Sequence, residues 1–220
     1  MRKRLDAGDN PCDVTWAEKT LFESMNTDPI MKLLRSLVFL SLISLALPAA
    51  RATTVIPPTF DELVTQAEMI FEGTVTGTRS EWTGEGANRH IVTYVTFKID
   101  DAIKGAVGAE YTIRMFGGTV GDQTIEVTDA PKFKLGDRDI LFVEHNGSQF
   151  VPLVGIMHGR FHVQADASGT SERITKDSGA AMANVAKLGQ DEVAAATGAA
   201  MSKADFKAAI RQKLAEKAAK

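Results

Sequence analysis

The stretch RHIVTYVTFKIDDAI, residues 89–103, decides the fold class. Ile91, Thr93, Val95, Phe97 and Ile99 fall on one face of an extended chain, and His90, Val92, Tyr94, Thr96 and Lys98 on the other. A period of two carried by β-branched and aromatic side chains predicts a long strand packed on one side. Lys104-Gly105 ends it.

Runs of the same kind lie on both sides. MIFEGTVTGT, residues 69–78, reads as a strand in which Gly73 and Gly77 predict a bulge or strong coiling. WTGEGAN, 82–88, has the composition of the turn that joins it to the long strand. Tyr111, Ile113 and Met115 alternate with Thr112 and Arg114 in a third strand, closed by Gly117-Gly118. A shorter strand is expected over 124–127 and a turn over 131–136. DILFVEH, 139–145, is apolar on both faces for four residues, the pattern of a central strand. Asn146-Gly147 is a hairpin signal linking it to a strand at 149–156, with a last strand at 159–164. Six or seven short strands with glycine at the corners point to a small closed or half-closed antiparallel β-barrel over residues 53–165.

Helices flank this region. Thr59, with Glu62 three residues on, forms a capping box ahead of Phe60, Leu63, Val64 and Ala67, so a capping helix is expected over 60–68. Past Asp177 the chain turns alanine-rich. A helical tail over 178–220 is expected, with helices at 180–188 and 191–196. A longer helix at 202–219 starts at Ser202 and carries Phe206, Ile210 and Leu214 on one narrow stripe. That stripe can dock on the barrel or pair with a partner helix. The fold class is mainly β with flanking helices.

MKLLRSLVFLSLISLALPAARA, residues 31–52, has the form of a secretion signal. Lys32 and Arg35 make its basic start, 36–47 its apolar core, and Ala50 and Ala52 the small residues before a cleavage at Thr53. The core is about half the ~20 residues needed to cross a bilayer, so a cleaved signal is expected and no membrane span in the mature form. Met31 then reads as the start and residues 1–30 as sequence upstream of it. The expected product, 53–220, is exported to the periplasm or secreted. Its 168 residues suffice for one domain. Cys12 is the chain's single cysteine, so that product has no disulfide and no thiol ligand.

Charge separates the two halves. Residues 53–177 hold 11 Lys and Arg against 18 Asp and Glu, whereas 178–220 hold 7 against 4. An acidic body lacks the basic face that phosphates require, so no nucleic-acid partner is expected.

Residues that could carry chemistry are few. His158 and His162 have the spacing of a helical metal pair, but in a strand four residues span roughly 13 Å, too far for both rings to hold one ion. They read instead as solvent-facing residues flanking core Phe161, and no metal and no cofactor is expected. No GxSxG elbow is present, and Asp100-Asp101, Asp137 and Asp139 sit at strand ends, where acidic residues cap and solubilise. No catalytic residue is assigned. The loop Phe116 to Asp122, with Gly117 and Gly118 adjacent, can make an anion nest or a tight β-arc. Trp82, near Arg79 and Arg89, can anchor an interface or fold back over a barrel end. Arg79, Trp82, Arg89, Gly117, Gly118 and Asp122 are therefore the candidate binding surface.

PPTFDELVTQAEMIFEGTVTGTRSEW, RHIVTYVTFKIDDAIKG, FGGTVGD, PKFKLGDRDILFV and NGSQFVPLVGIMHGRFHV together resemble a family of exported bacterial proteins of unknown function, over residues 57–163. More distantly, the order helix, coiled strand, long strand ending in Lys-Gly, then an ILF strand resembles the netrin-like domain of the tissue inhibitors of metalloproteinases. The resemblance implies an OB-like barrel. Those inhibitors chelate the protease zinc through an N-terminal cysteine, and Thr53 stands at the expected start here, so the inhibitory mechanism does not carry over. The expectation is an exported non-enzymatic module that binds an exported or envelope protein. A carboxylate-based extracytoplasmic hydrolase and a loop-mediated protease inhibitor are the alternatives.

Overall fold

β1 (Met69–Thr83) and β2 (His90–Lys104) form one long antiparallel hairpin, in which Thr83 faces His90 and Ile70 faces Lys104. The computed structural model describes residues 56–166 and 169–219. The signal-like segment and the proposed cleavage residues Ala50, Ala52 and Thr53 lie outside them.

The register of the β1–β2 hairpin shifts between Ile70 and Phe71, Glu72 and Gly73, and Val75 and Gly77. The strand coils where the two glycines sit, as their sequence positions predict. A Cβ on Gly73 would lie 2.9 Å from the Lys98 carbonyl oxygen, so β1 bends against β2 only because that atom is missing. β1 also runs five residues beyond its expected end at Thr78: Arg79 to Thr83 find ladder partners in His90–Tyr94. Trp82 is therefore a strand residue facing Ile91, not part of the turn.

β3 (Glu110–Phe116) adds to β2, while β6 (Arg138–Val143), β7 (Arg160–Ala165) and β8 (Glu172–Lys176) follow on the other side of β1. The order is β3-β2-β1-β6-β7-β8, with every neighbouring pair antiparallel. A separate ribbon joins β4 (Gly118–Val120) to β5 (Gln123–Ile125). The protein is mainly β, with helices α1 (Phe60–Gln66), α2 (Glu192–Ala196) and α3 (Lys203–Ala218).

Of the closed or half-closed barrel expected, the closed form is not made: among the described residues β3 and β8 end an open sheet. The edge strand β3 is covered instead by the segment that follows β6. The side-chain amide of Asn146 donates to the Thr112 carbonyl at 2.9 Å, and its oxygen accepts from the Arg114 N–H at 2.9 Å, imitating a peptide unit. The Phe116 N–H donates to the Phe150 carbonyl at 2.7 Å. Asn146 is thus occupied by β3, and the tight hairpin that Asn-Gly favours is not made. The strand expected at 149–156 shrinks to one bridge, Val143 to Leu153.

A similar substitution explains the missing helix at 180–188. Ala181 bridges Thr175, and the Met182 N–H donates to the Ile174 carbonyl at 3.0 Å, so this alanine-rich run covers the edge of β8. Only a 3-10 turn, Val185–Lys187, remains. Pairing an open strand edge outweighs the small helix preference of alanine.

The sheet separates two cores. Phe71, Val75, Val95, Phe97, Ile113, Met115, Leu141, Val143, Val151 and Leu153 fill one side, the inner one. Leu63, Val64, Ile70, Ile140, Phe142, Phe161, Ile174, Phe206 and Ile210 form the other core, beneath α1 and α3. β6 serves both, which is why four consecutive apolar residues occur there. The stripe of α3 docks on this sheet: Phe206 and Ile210 are fully buried, and the Phe206 ring meets Phe161 at 4.9 Å. The Thr59–Glu62 capping box and the Ser202 cap form as expected.

Candidate functional site

Two features rise above the scaffold: a surface with an exposed aromatic residue and a buried ionic cluster beside a cleft. The surface follows from the β1–β2–β3 register, because residues opposed in a ladder share a face. Arg79 faces Tyr94, Glu81 faces Val92, Thr83 faces His90, and Val92 faces Phe116. All of them therefore lie on the outer face, away from the inner core.

There the Arg79 guanidinium lies 4.9 Å from the centre of the Tyr94 ring. His90 stacks on Phe116 with ring centres 5.1 Å apart, and Phe116 meets Phe150 edge-on at 4.9 Å. Arg114 reaches the His90 Nε2 at 3.3 Å. Phe150 is 68% exposed and belongs to this aromatic row. Large exposed rings rimmed by arginine are typical of contact surfaces.

The six residues chosen from sequence divide between faces. Arg79 joins the outer patch. Trp82 faces Ile91 from the inner side, half-buried, with Arg89 4.4 Å from its ring centre. Gly117 also meets Ile91, donating its N–H to that carbonyl at 2.8 Å. Gly118 sits over Ser80 and Thr93, and the Thr93 hydroxyl donates to the Gly117 carbonyl at 2.7 Å. These two glycines form a packed β-arc: Gly118 has φ +134°, and a Cβ there would fall 2.2 Å from the Thr93 Oγ1. Asp122 is exposed in the turn between β4 and β5. Phe150 and the His90–Phe116 stack were missed, because a lone phenylalanine in a loop carries no periodic signal.

The ionic cluster lies between β6 and β7. Arg160, 2% exposed, donates from Nε to Asp139 at 3.0 Å and from Nη2 to Asp137 at 2.7 Å. Its Nη1 reaches Asp177 at 3.2 Å and the Lys132 carbonyl at 2.9 Å, and its guanidinium lies 4.0 Å from the centre of the Phe133 ring. His162 completes the set, with Nδ1 2.7 Å from Asp139 and Nε2 3.5 Å from Asp177. The hydrogen bonds to Asp139 and Asp177 push the His162 pKa up to about 9, so the ring is protonated at neutral pH. Burial alone would raise Asp177, but the bond from His162 and the charge of Arg160 hold it below its ordinary value.

Asp139, expected to cap a strand end, is instead a fully buried ladder residue, and the solvent-facing reading of the histidines is overturned; Asp137 does cap the turn before β6, accepting from the Lys134 N–H at 2.9 Å. Opposition of Asp139 to His162 in the ladder is a register fact that local sequence does not contain. His158 precedes β7 and is half-buried, with its pKa lowered by that burial.

A cleft of about 660 Å³ opens over the cluster, lined by Glu126, Asp129, Lys132, Lys134 and His162 among others. Chemically the cluster is saturated: its carboxylates are met by Arg160 and His162, and a histidine held protonated is not a base at pH 7. Among the described residues no group of three His, Cys, Asp or Glu side chains is placed to hold a metal ion.

No protein-family model matches the chain, and neither a curated protein nor a solved structure is significantly similar to it.

Proposed function

We propose that the chain is an exported, non-enzymatic binding module, an OB-like half-barrel that engages an exported or envelope protein through the outer face of β1–β2–β3. The observation that carries this reading is the row His90–Phe116–Phe150, open to solvent at Phe150 and flanked by Arg79 and Arg114. An exposed ring pre-positioned by a stacked neighbour gives up little conformational freedom on binding. The signal-like segment at 31–52 and the resemblance to exported bacterial proteins support the location. The strand order β3-β2-β1-β6-β7, with 144–153 folded along β3, supports the OB-like reading. No described helix is long and apolar enough to cross a membrane.

The hydrolase alternative receives less support. Asp137 and Asp139 both lie within 3 Å of one nitrogen of Arg160, yet Asp139 is fully buried, and Asp177 is held below its ordinary value. A carboxylic acid for general acid catalysis needs a raised pKa. Trp82, held in a strand beneath Arg89, also fits poorly with a protruding inhibitory loop.

The test is to express the full chain in a bacterial host and sequence the N-terminus of the exported product, expected to be Thr53. That product is then immobilised against envelope and culture proteins, beside Phe150→Ala and Trp82→Ala. A stoichiometric partner lost with Phe150→Ala, while the circular dichroism of the variant is unchanged, supports the module and its surface. A partner retained by Phe150→Ala removes the surface, and hydrolysis of an envelope substrate removes the non-enzymatic reading.

A further inference from the structure

Both ends of the six-stranded sheet are covered: β3 by Asn146 and Phe150, β8 by Ala181, Met182 and Met201. A third edge carries no ladder, although β4 packs against β1 where Gly118 lies over Ser80. β6 pairs with β1 only along Met69–Thr74, and Val75 adds its own two bonds, to Gly136 and Asp137. From Thr76 to Thr83, β1 is laddered to β2 on one side, and the described residues place no backbone hydrogen bond on the other. Thr76, Thr78 and Arg79 are exposed.

A free edge offers unpaired N–H and C=O groups to another strand, and proteins block such edges with proline, like charges or a covering segment. TGTRSEWT, 76–83, has no proline, and its charges, Arg79 and Glu81, are of opposite sign two residues apart on the same face. That pattern is self-complementary.

We propose that two copies of the chain pair antiparallel along Thr76–Thr83 about a two-fold axis through Ser80, with Arg79 of each copy opposite Glu81 of the other. The register follows from two conditions. A two-fold axis perpendicular to a continuous sheet keeps each face on its own side, so opposed residues must be an even number apart. Among the even registers, centring on Arg79 or on Glu81 puts like charges in direct opposition, and centring on Ser80 puts unlike charges together. Cross-strand pairs of opposite sign stabilise a ladder and like pairs destabilise it. The same register sets Trp82 of each copy opposite Thr78 of the other on the inner face. Arg79 belongs to both surfaces, but Ser80 and the charge-exchange rescue do not involve Phe150, so failure of the pairing and failure of the partner-binding reading, which Phe150→Ala tests, are separable.

The test is charge exchange in the full chain. The wild type is expected to sediment as a dimer in a concentration-dependent equilibrium. Arg79→Glu and Glu81→Arg are each expected to weaken dimerisation about tenfold or more, because each homodimer then opposes like charges twice. Mixing the two variants in equal amounts is expected to restore the dimer, as a heterodimer in which every opposed pair is again of opposite sign. Loss of the Arg79–Glu81 pair within one chain cannot produce that rescue, since neither variant regains it on mixing.

Cysteine replacement checks the axis. In a Cys12→Ser background, Ser80→Cys is expected to form a disulfide-linked dimer on mild oxidation, because directly opposed strand residues lie about 4.5–5.5 Å apart, within disulfide reach. Thr78→Cys, opposite Trp82, is expected not to cross-link. A monomeric wild type at all accessible concentrations overturns the proposal. So does a mixture that stays as weak as its components, or cross-linking at 78 as fast as at 80.

Discussion

The protonated His162 ties the stability of the fold to alkaline pH, and the size of the effect follows from its contacts. Its pKa rises from 6.5 to about 9 through hydrogen bonds to Asp139 and Asp177. A group whose folded pKa exceeds its unfolded value stabilises the fold fully below the unfolded value, here about 6.5, and loses that contribution as the pH rises through about 9. At about 1.4 kcal/mol per unit the ceiling is roughly 3 kcal/mol. His162 is 22% exposed and shares Asp139 with Arg160, so we expect about 2 kcal/mol of it to be realised.

The assay is urea unfolding followed by far-ultraviolet circular dichroism at pH 6, 8 and 10, for the wild type and His162→Gln. The wild-type midpoint should fall by about 1 M urea across this range at an unchanged slope. Lys104, whose pKa is lowered by burial, acts in the opposite sense as the pH approaches 10, so the comparison with the variant isolates His162. A variant that retains the full wild-type fall, or a wild type that gains stability between pH 6.5 and 9 relative to the variant, refutes the reasoning.

Three further outcomes are expected. Glu72, nearly fully buried, accepts from Lys203 at 2.9 Å and Lys207 at 2.6 Å and so fastens α3 to β1; Glu72→Ala should cost about 3 kcal/mol and speed amide exchange along α3 first. Gly118→Ala should lower the melting temperature by several degrees, because its φ of +134° is strained for alanine and a Cβ would overlap the Thr93 and Ser80 hydroxyls, whereas Gly121→Ala, with no atom within 4 Å of its Cβ, bears only the φ penalty and should cost less. In a proton-resonance titration His162 should titrate near 9 and His158 below 6.5; the neutral burial of His158 makes the fold lose stability as the pH drops through its depressed value, a slope that His158→Asn should remove.

Local chemistry made much of the scaffold legible. Burial on one face writes itself as alternation, so β2 and β3 could be read residue by residue, and burial on both faces marked β6 as central. The caps at Thr59 and Ser202 were legible because they satisfy helix ends with residues three apart. Where a segment serves a neighbour remote in sequence, the local reading failed. Asn146 had the look of a turn residue but closes β3, and alanines 180 and 181 had the look of a helix but cover β8. ERITK, 172–176, with Ile174 its one buried residue, showed no strand pattern until β7 was beside it.

The candidate sites followed the same rule. Trp82 and the glycines were chosen for residue type, and residue type could not assign them to a face. The pairing of Asp139 with His162 and the stack of His90, Phe116 and Phe150 join residues 20 to 60 positions apart. Sequence by itself determined that β2, β3, β6 and β7 extend, that β1 coils at its glycines, where two helices begin, and that one strand is buried on both sides. Each of those properties is set within a few residues, by side-chain sterics and by the period at which apolar groups recur. Tertiary structure alone decided that the sheet stays open, which edges are covered and which is bare, and which charges meet in the interior. Those outcomes depend on register, and register is fixed only when distant strands bury their faces together.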